Sequence, residues 1–225
     1  DVYLKNLQDA EKYNHRVLGK QLKLYAIIPE IGQGLPVWLP RGYTTRRVLE
    51  NYMIDLERKH GYQHILTPHI VRGELFEISG HLNFYKDSMY APIKVDNEDY
   101  YLKPMNCPAG MMVYKMEIKS YRDLPFKMGE FGTVYRFEKT GELHGLQRVR
   151  GFTQNDAHIY CTQDQLEMVI NETLDLLDIF YKDIGFTDYK FRLSLSDREK
   201  NPDKYAGDIE KWQFAEDILR KALTD

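Results

Sequence analysis

The segment Arg148-Val149-Arg150-Gly151-Phe152-Thr153-Gln154-Asn155-Asp156-Ala157-His158 carries an alternating pattern that no helix would produce. Residues two apart in a strand share a face, so Phe152, Gln154, Asp156 and His158 point one way. Upstream, Phe126 to Phe137 alternates in the same manner and runs into Arg136 and Glu138. Between the two lies Glu138 to Gly145, a loop with two glycines and mixed charges. The pair reads as an antiparallel hairpin. One of its faces presents a guanidinium, two carboxylates, an amide, an imidazole and an aromatic ring. A guanidinium forks onto phosphate or carboxylate and an aromatic face stacks on a nucleobase, so this set suits a nucleotide beside a small acid. A solvated outer face with Arg–Glu salt bridges is the alternative reading.

Outward from the hairpin, helices and strands mix without a regular β-α-β alternation. Apolar residues at Leu4, Leu7, Val17, Leu18, Leu22 and Tyr25 predict a leading helix over 3–25 with a break near Asn14. Gly32 to Pro36 makes a loop, and Val37 to Leu39 stops at Pro40. Val48, Leu49, Tyr52, Met53 and Leu56 stripe a second helix ended by Gly61. Tyr62 to Leu66 reads as a strand closed by Thr67-Pro68, and Arg72 to Ile78 as a short helix. Ser88 to Leu102 reads as a hairpin turning at Asp96-Asn97, and Asn106 to Ile118 as a helix. After the central hairpin, Leu166 to Tyr181 is a strong helical stripe ending at Gly185. A strand near Tyr189 to Leu195 and a helix near Ile209 to Leu223 complete the chain. The expected class is α+β, an antiparallel sheet flanked by helices, in one domain over residues 1–225.

Composition bounds the function. The 225 residues carry a formal charge of −3, with 43% hydrophobic and 13% aromatic residues, an ordinary globular balance that needs neither disulfides nor a structural metal to fold. No run approaches the ~18 apolar residues of a membrane span, and Asp1 to Ala10 lacks a signal-peptide pattern, so a cytoplasmic setting is expected. The acidic balance argues against coating nucleic acid by bulk charge, although Arg41, Arg46, Arg47 and Arg148, Arg150 form local clusters that suit phosphates. Walker-type, G-x-S-x-G, H-E-x-x-H and Rossmann patterns are all missing.

Two further residues carry chemistry by type. Cys107, in Met105-Asn106-Cys107-Pro108, and His158 are a thiolate and an imidazole that hold zinc wherever a fold brings them together, although a cysteine before proline also reads as a small buried hydrophobe. His81 follows a glycine in a loop where an imidazole can serve as a base or simply be solvated.

His60-Gly61-Tyr62-Gln63-His64-Ile65-Leu66-Thr67-Pro68-His69-Ile70 resembles motif 1 of the class II aminoacyl-tRNA synthetases, the helix and strand ending in Pro that build their dimer interface. Tyr135-Arg136-Phe137-Glu138 and Arg148 to His158 are similar to motif 2. Lys103-Pro104-Met105-Asn106-Cys107-Pro108, Ser120 to Pro125 and Leu143-His144-Gly145-Leu146 narrow the resemblance to the threonyl-tRNA synthetases.

The resemblance implies the class II catalytic fold and ATP-dependent activation of threonine for transfer to tRNA(Thr), with ATP as substrate, Mg2+ beside it, zinc as cofactor and a homodimer as the assembly. It implies that Arg136 holds the α-phosphate and the threonine carboxylate, that Glu138 recognises adenine, that Phe152 stacks on it, and that Arg148 reaches the terminal phosphates. Gln154 would orient the reacting carboxylate, Met105 would line the threonine pocket, and Asp156 would accept the threonine hydroxyl. Cys107 and His158 match two of three zinc ligands, and His81 the histidine beside the tRNA terminal adenosine.

Departures are equally specific. The family continues Gly-His after Cys-Pro where this chain has Ala109-Gly110. Neither the third zinc ligand nor motif 3 is matched; Trp212 to Asp225, including Arg220, reads as a plain amphipathic helix. Editing and anticodon-binding domains are likewise unmatched. Weak turnover by these residues alone is therefore expected, with a non-catalytic nucleotide-binding paralogue, or a serine or proline enzyme of the same class, as the competing readings.

Overall fold

The computed structural model describes residues 2–198, 200–201, 205 and 207–224. Their contacts divide them into two compact units: residues up to 58, 62–118 and 128–158 in the first, and 59–61, 119–127 and 159 onward in the second.

In the first unit the leading helical pattern is cut in two, α1 (Val2–Lys12) and α2 (His15–Gln21). Asn14 is the reason for the cut: its side chain accepts from the Arg16 N–H at 3.0 Å, satisfying a donor at the start of a new helix. Tyr25, expected on that helix, instead opens β1 (Tyr25–Ile27), which pairs antiparallel with β2 (Pro36–Trp38). The long helix α3 (Pro40–Lys59) starts on a proline and gives way to Gly61 at φ +84°, as the Gly and Pro punctuation implies. It buries Met53 and Leu56, but Val48 and Leu49 of the expected stripe are 63% and 41% exposed.

Next come β3 (Gln63–His64), β4 (Ile70–Arg72), α4 (Gly73–Ile78), α5 (His81–Phe84), β5 (Ile93–Val95), β6 (Glu98–Leu102) and α6 (Cys107–Lys115). The expected hairpin turns at Asp96, whose φ is +52°. Arg72, read as helical, ends β4, which pairs antiparallel with β6. The central hairpin is β7 (Phe126–Tyr135) and β8 (Gly151–Tyr160), neighbours in a sheet ordered β3-β7-β8. The Arg136 N–H donates to Arg150 O, and the Thr133 and Thr153 hydroxyls meet across the strands at 2.8 Å, so the two strands run in opposite directions. β3 joins β7 in parallel, an addition to the expected antiparallel sheet that the long crossover over residues 65–125 between the two strands allows.

The second unit is built on α7 (Leu166–Asp183), which buries Val169 and Leu176, and α8 (Ile209–Ala222), capped by Asp208. The strand expected over 189–195 does not form. That segment spends its side chains on the helices instead: Tyr189 packs on Tyr181 with ring centroids 4.7 Å apart and donates its O–H to Asp178, and Ser196 donates to Glu216. Arg220 is exposed, as expected of a surface residue. The last residue of the expected terminal helix, Asp225, lies outside the described residues, as does Asp1. Among the described residues no helix is long and apolar enough to cross a membrane.

Candidate functional site

The two faces of the hairpin do different work. On the α3 side, Asn155 donates to Glu57 Oε1 at 2.9 Å, and Glu57 Oε2 meets His64 Nε2 at 2.6 Å, so strand, helix and β3 are bolted together through the buried Glu57 carboxylate. On the other face lie Phe152, Gln154, Asp156 and His158, as the period of two requires.

That second face rests on a buried ionic cluster. Lys103 is 1% exposed, and its Nζ donates to Thr67 Oγ1 at 2.6 Å, to Thr67 O at 3.2 Å and to Glu130 Oε1 at 3.2 Å. Glu130 Oε1 also accepts from the Thr67 N–H at 2.8 Å and from its hydroxyl at 2.7 Å. Every charge is thus paired and hydrogen-bonded, the condition for burying ions at all. The Lys103 backbone donates to His69 O and accepts from the Tyr135 N–H. The cluster therefore fixes Pro104-Met105-Asn106 against the hairpin. A carboxylate between glycines on a strand, Gly129-Glu130-Phe131-Gly132, was the available signal in the sequence.

Asn106, fully buried, lies flat on the Gly132 backbone: a Cβ at position 132 would stand 2.3 Å from its Oδ1. This close approach lets Asn106 Nδ2 donate to Asp156 Oδ2 at 3.2 Å. At the next residue, α6 begins with Cys107. The Cys107 Sγ, an Asp156 oxygen and a His158 ring nitrogen all lie within 4.8 Å of one another, half-buried. Cys107 is thus no plain core hydrophobe. Burial and then the Asp156 charge push its thiol pKa up, so the site as it stands holds a protonated thiol, and a cation is what would favour the thiolate. Gly110, where the resemblance calls for histidine, backs this imidazole, since a Cβ there would sit 3.6 Å from His158 Nδ1. Thiol and imidazole at this separation are donor types that fit zinc, and the Asp156 carboxylate beside them adds the negative charge that favours a cation.

Arg136 stands over the Phe152 ring at 5.1 Å and donates from Nε to Pro104 O at 3.3 Å. Arg148 Nε donates to Glu138 Oε2 at 2.8 Å and Nη2 to Glu142 Oε2 at 3.4 Å. The adenine and phosphate candidates therefore hold each other, and a nucleotide must exchange these contacts for its own. Arg150 is occupied by Glu138 O, Gln33 O and Thr140 Oγ1, and Arg46 and Arg47 by Glu50, so these arginines brace the fold. His81 Nε2 meets Met105 Sδ at 3.3 Å and Nδ1 meets Ser79 Oγ at 2.9 Å. Burial lowers its pKa more than the Ser79 contact raises it, which favours neutral imidazole. Gln154 is half-buried on the same face. Arg136, Met105, Cys107, Phe152, Gln154, Asp156 and His158 thus share one strand face and the turn that covers it, with His81 reached through Met105.

Known proteins share this fold. Residues 90–218 match the tRNA synthetase class II core domain (G, H, P, S and T). The chain is 47% identical over all 225 residues to the threonine–tRNA ligase of a Geobacillus species and to threonine–tRNA ligase 1 of Bacillus subtilis, and it spans 35% of the length of each. A solved structure of the RNA binding domain of threonyl-tRNA synthetase from Cryptosporidium parvum superposes with a TM-score of 0.81 at 34% identity, over 93% of this chain and 51% of that one. Prolyl-tRNA synthetase from Giardia lamblia, at 21% identity, shares the fold over 78% of this chain and 36% of its own, with a TM-score of 0.68.

Proposed function

This chain belongs to the tRNA synthetase class II core family, and from that premise we propose that it is part of the catalytic domain of a threonine–tRNA ligase. The observation that carries the reading is the Cys107, Asp156 and His158 cluster on the same strand face as Arg136. The substrates are threonine, ATP with Mg2+, and tRNA(Thr), and the setting is cytoplasmic. Exposed Tyr43, Val48 and Leu49 on α3, beside the motif 1 strand, support a homodimer through that helix.

In the first half-reaction a threonine carboxylate oxygen attacks the α-phosphorus of ATP, and the bond to the β-phosphate breaks to release pyrophosphate. Negative charge grows on the α-phosphoryl oxygens. Arg136 meets it with a planar fork of donors already oriented by Phe152 and Pro104 O, so little reorganisation accompanies the step. Glu138 takes the adenine amine as Arg148 turns to the terminal phosphates, and Gln154 holds the carboxylate in line. In the second half-reaction a terminal ribose hydroxyl attacks the threonyl carbonyl and AMP leaves. Neutral His81 is suited to take the hydroxyl proton.

Cys107 and His158 would hold zinc, whose Lewis acidity would favour a substrate offering both an amine and a hydroxyl and so would separate threonine from its isostere valine. Asp156, with one oxygen engaged by Asn106, keeps the other to accept from the threonine hydroxyl. Serine lacks only a methyl, worth roughly 1–3 kcal/mol, so serine is the harder competitor.

The test is zinc content by elemental analysis together with calorimetric titration of threonine, valine and serine beside a non-hydrolysable ATP analogue. Stoichiometric zinc and threonine bound well above valine is the expected result. No zinc and no discrimination would refute the threonine assignment and favour the nucleotide-binding paralogue.

A further inference from the structure

The loop between β7 and β8 is not held by the hairpin alone. At its tip, the His144 N–H donates to Arg148 O, and the Gln147 and Arg148 N–H groups return to His144 O, closing a tight turn over 144–148. The Leu146 N–H, which projects from that turn, donates to Nε2 of His15 at 3.1 Å, across 131 residues of sequence. His15 is the first residue of α2, fixed there by the Asn14 cap, and its ring stands edge-on to that of His144 at 6.4 Å. Between them sits Gly145 at φ +52°. A Cβ at that position would lie 2.1 Å from His15 Nε2 and 3.1 Å from Arg16 Cγ. Backbone angle and available space thus both demand glycine, and the close approach is to α2 rather than to the loop itself.

We propose that His15 is a positioning residue for the nucleotide-binding hairpin. Its imidazole pins the tip of the 144–148 turn and so sets where Arg148 leaves it to reach Glu138. The proposal rests on the reading of Glu138 and Arg148 as ATP contacts. Three features carry it. His15 supplies the acceptor for an N–H that the turn itself leaves unmatched. For that, Nε2 must carry the lone pair and Nδ1 the proton, a single neutral tautomer. The same N-terminal stretch braces the far side of the loop, where the Arg150 N–H donates to Gly34 O at 2.7 Å and its Nη1 to Gln33 O at 3.1 Å. Finally, the Arg148 side chain is 53% exposed and is held, among the described residues, by the Glu138 and Glu142 carboxylates, so its position depends on the turn behind it.

The experiment uses the chain with His15→Ala, His15→Gln or Gly145→Ala. Hydrogen exchange at the Leu146 amide reports the contact directly, and calorimetric titration with Mg·ATP and with threonine reports its consequence. Losing one such hydrogen bond is expected to weaken ATP about 3- to 10-fold with threonine binding unchanged, and to speed exchange at Leu146 by a similar factor. Gln presents a carbonyl in place of Nε2 and should restore most of both. Gly145→Ala removes the contact from the loop side and leaves α2 intact, so it separates loss of the pin from loosening of the helix. Unchanged Leu146 exchange in His15→Ala and Gly145→Ala would overturn the proposal, and so would faster exchange with ATP affinity within twofold of the unaltered chain. Absence of ATP binding by the unaltered chain would instead refute the ATP reading, with the exchange data still deciding whether His15 pins the turn.

Discussion

Replacing Lys103 by methionine should be among the most damaging single changes in this chain, although it removes no group that touches a substrate. Lys103 is 1% exposed and Glu130 3%. With the ammonium gone, the Glu130 carboxylate keeps two donors, the Thr67 N–H and hydroxyl, but no counter-charge. Breaking a buried pair from one side costs about 3–5 kcal/mol, a large share of the roughly 5–15 kcal/mol that holds a domain folded. With a urea dependence of about 2 kcal/mol per molar, the unfolding midpoint should fall by roughly 2 M. The double variant Lys103→Met, Glu130→Gln restores a neutral pair that still accepts from Thr67. It should recover at least about 2 kcal/mol of that loss as a coupling energy. Urea titration followed by tryptophan fluorescence measures all of these. A midpoint shift below about 0.3 M in Lys103→Met, or a double variant as unstable as the two single losses added together, would refute the argument that the cluster is a paired charge on which Met105 and Cys107 depend.

Other outcomes follow from the same geometry. On the proposed threonine–tRNA ligase reading, Arg136→Lys keeps the charge but loses the planar fork, so threonine-dependent ATP–pyrophosphate exchange should fall roughly 10²-fold with zinc content unchanged. Gly132→Ala drives a methyl into Asn106, from 2.3 Å away. A loss of about 1–3 kcal/mol is expected in thermal unfolding, with a narrower threonine over valine preference in calorimetry. His81 binds its proton less readily when folded than when unfolded. Its contribution to stability is therefore whole above the unfolded pKa of about 6.5 and declines as pH falls through the lower folded value. His81→Gln should flatten stability over that window, and a pH series of urea midpoints would show it.

The hairpin was legible because alternation with a period of two is a local property, and so were α3 and α7, because glycines and prolines punctuate them. Nothing local predicts that β3 joins β7 in parallel or that Tyr25 leaves its helix, since both depend on partners elsewhere in the chain. The strand expected over 189–195 had the right residue types and no ladder to join; Tyr189 found a carboxylate on α7 instead. At the site, residues with a chemical signature were readable, but the polar groups that hold them were not. Asn106 and Lys103 look unremarkable until Gly132 and Glu130 are brought beneath them. Cys107 beside a proline is ambiguous alone and becomes a donor only when α6 begins opposite Asp156 and His158.

Along β8 the even-numbered side chains carry the proposed site, and the odd-numbered Thr153 and Asn155 meet the scaffold. Descendants of such a strand can trade Gln154 or Asp156 for other substrates while Asn155 goes on gripping Glu57. The interleaving also makes length, rather than composition, the thing the strand cannot vary. A single-codon insertion or deletion between 151 and 158 would invert the faces of the strand residues on one side of it, turning ligands there toward the helix and bolts toward the substrate. The same lesion at the exposed Gly141 would alter only the length of a surface turn. Substitution along the strand therefore changes the proposed ligands one at a time, whereas a change of length is absorbed only beyond its ends.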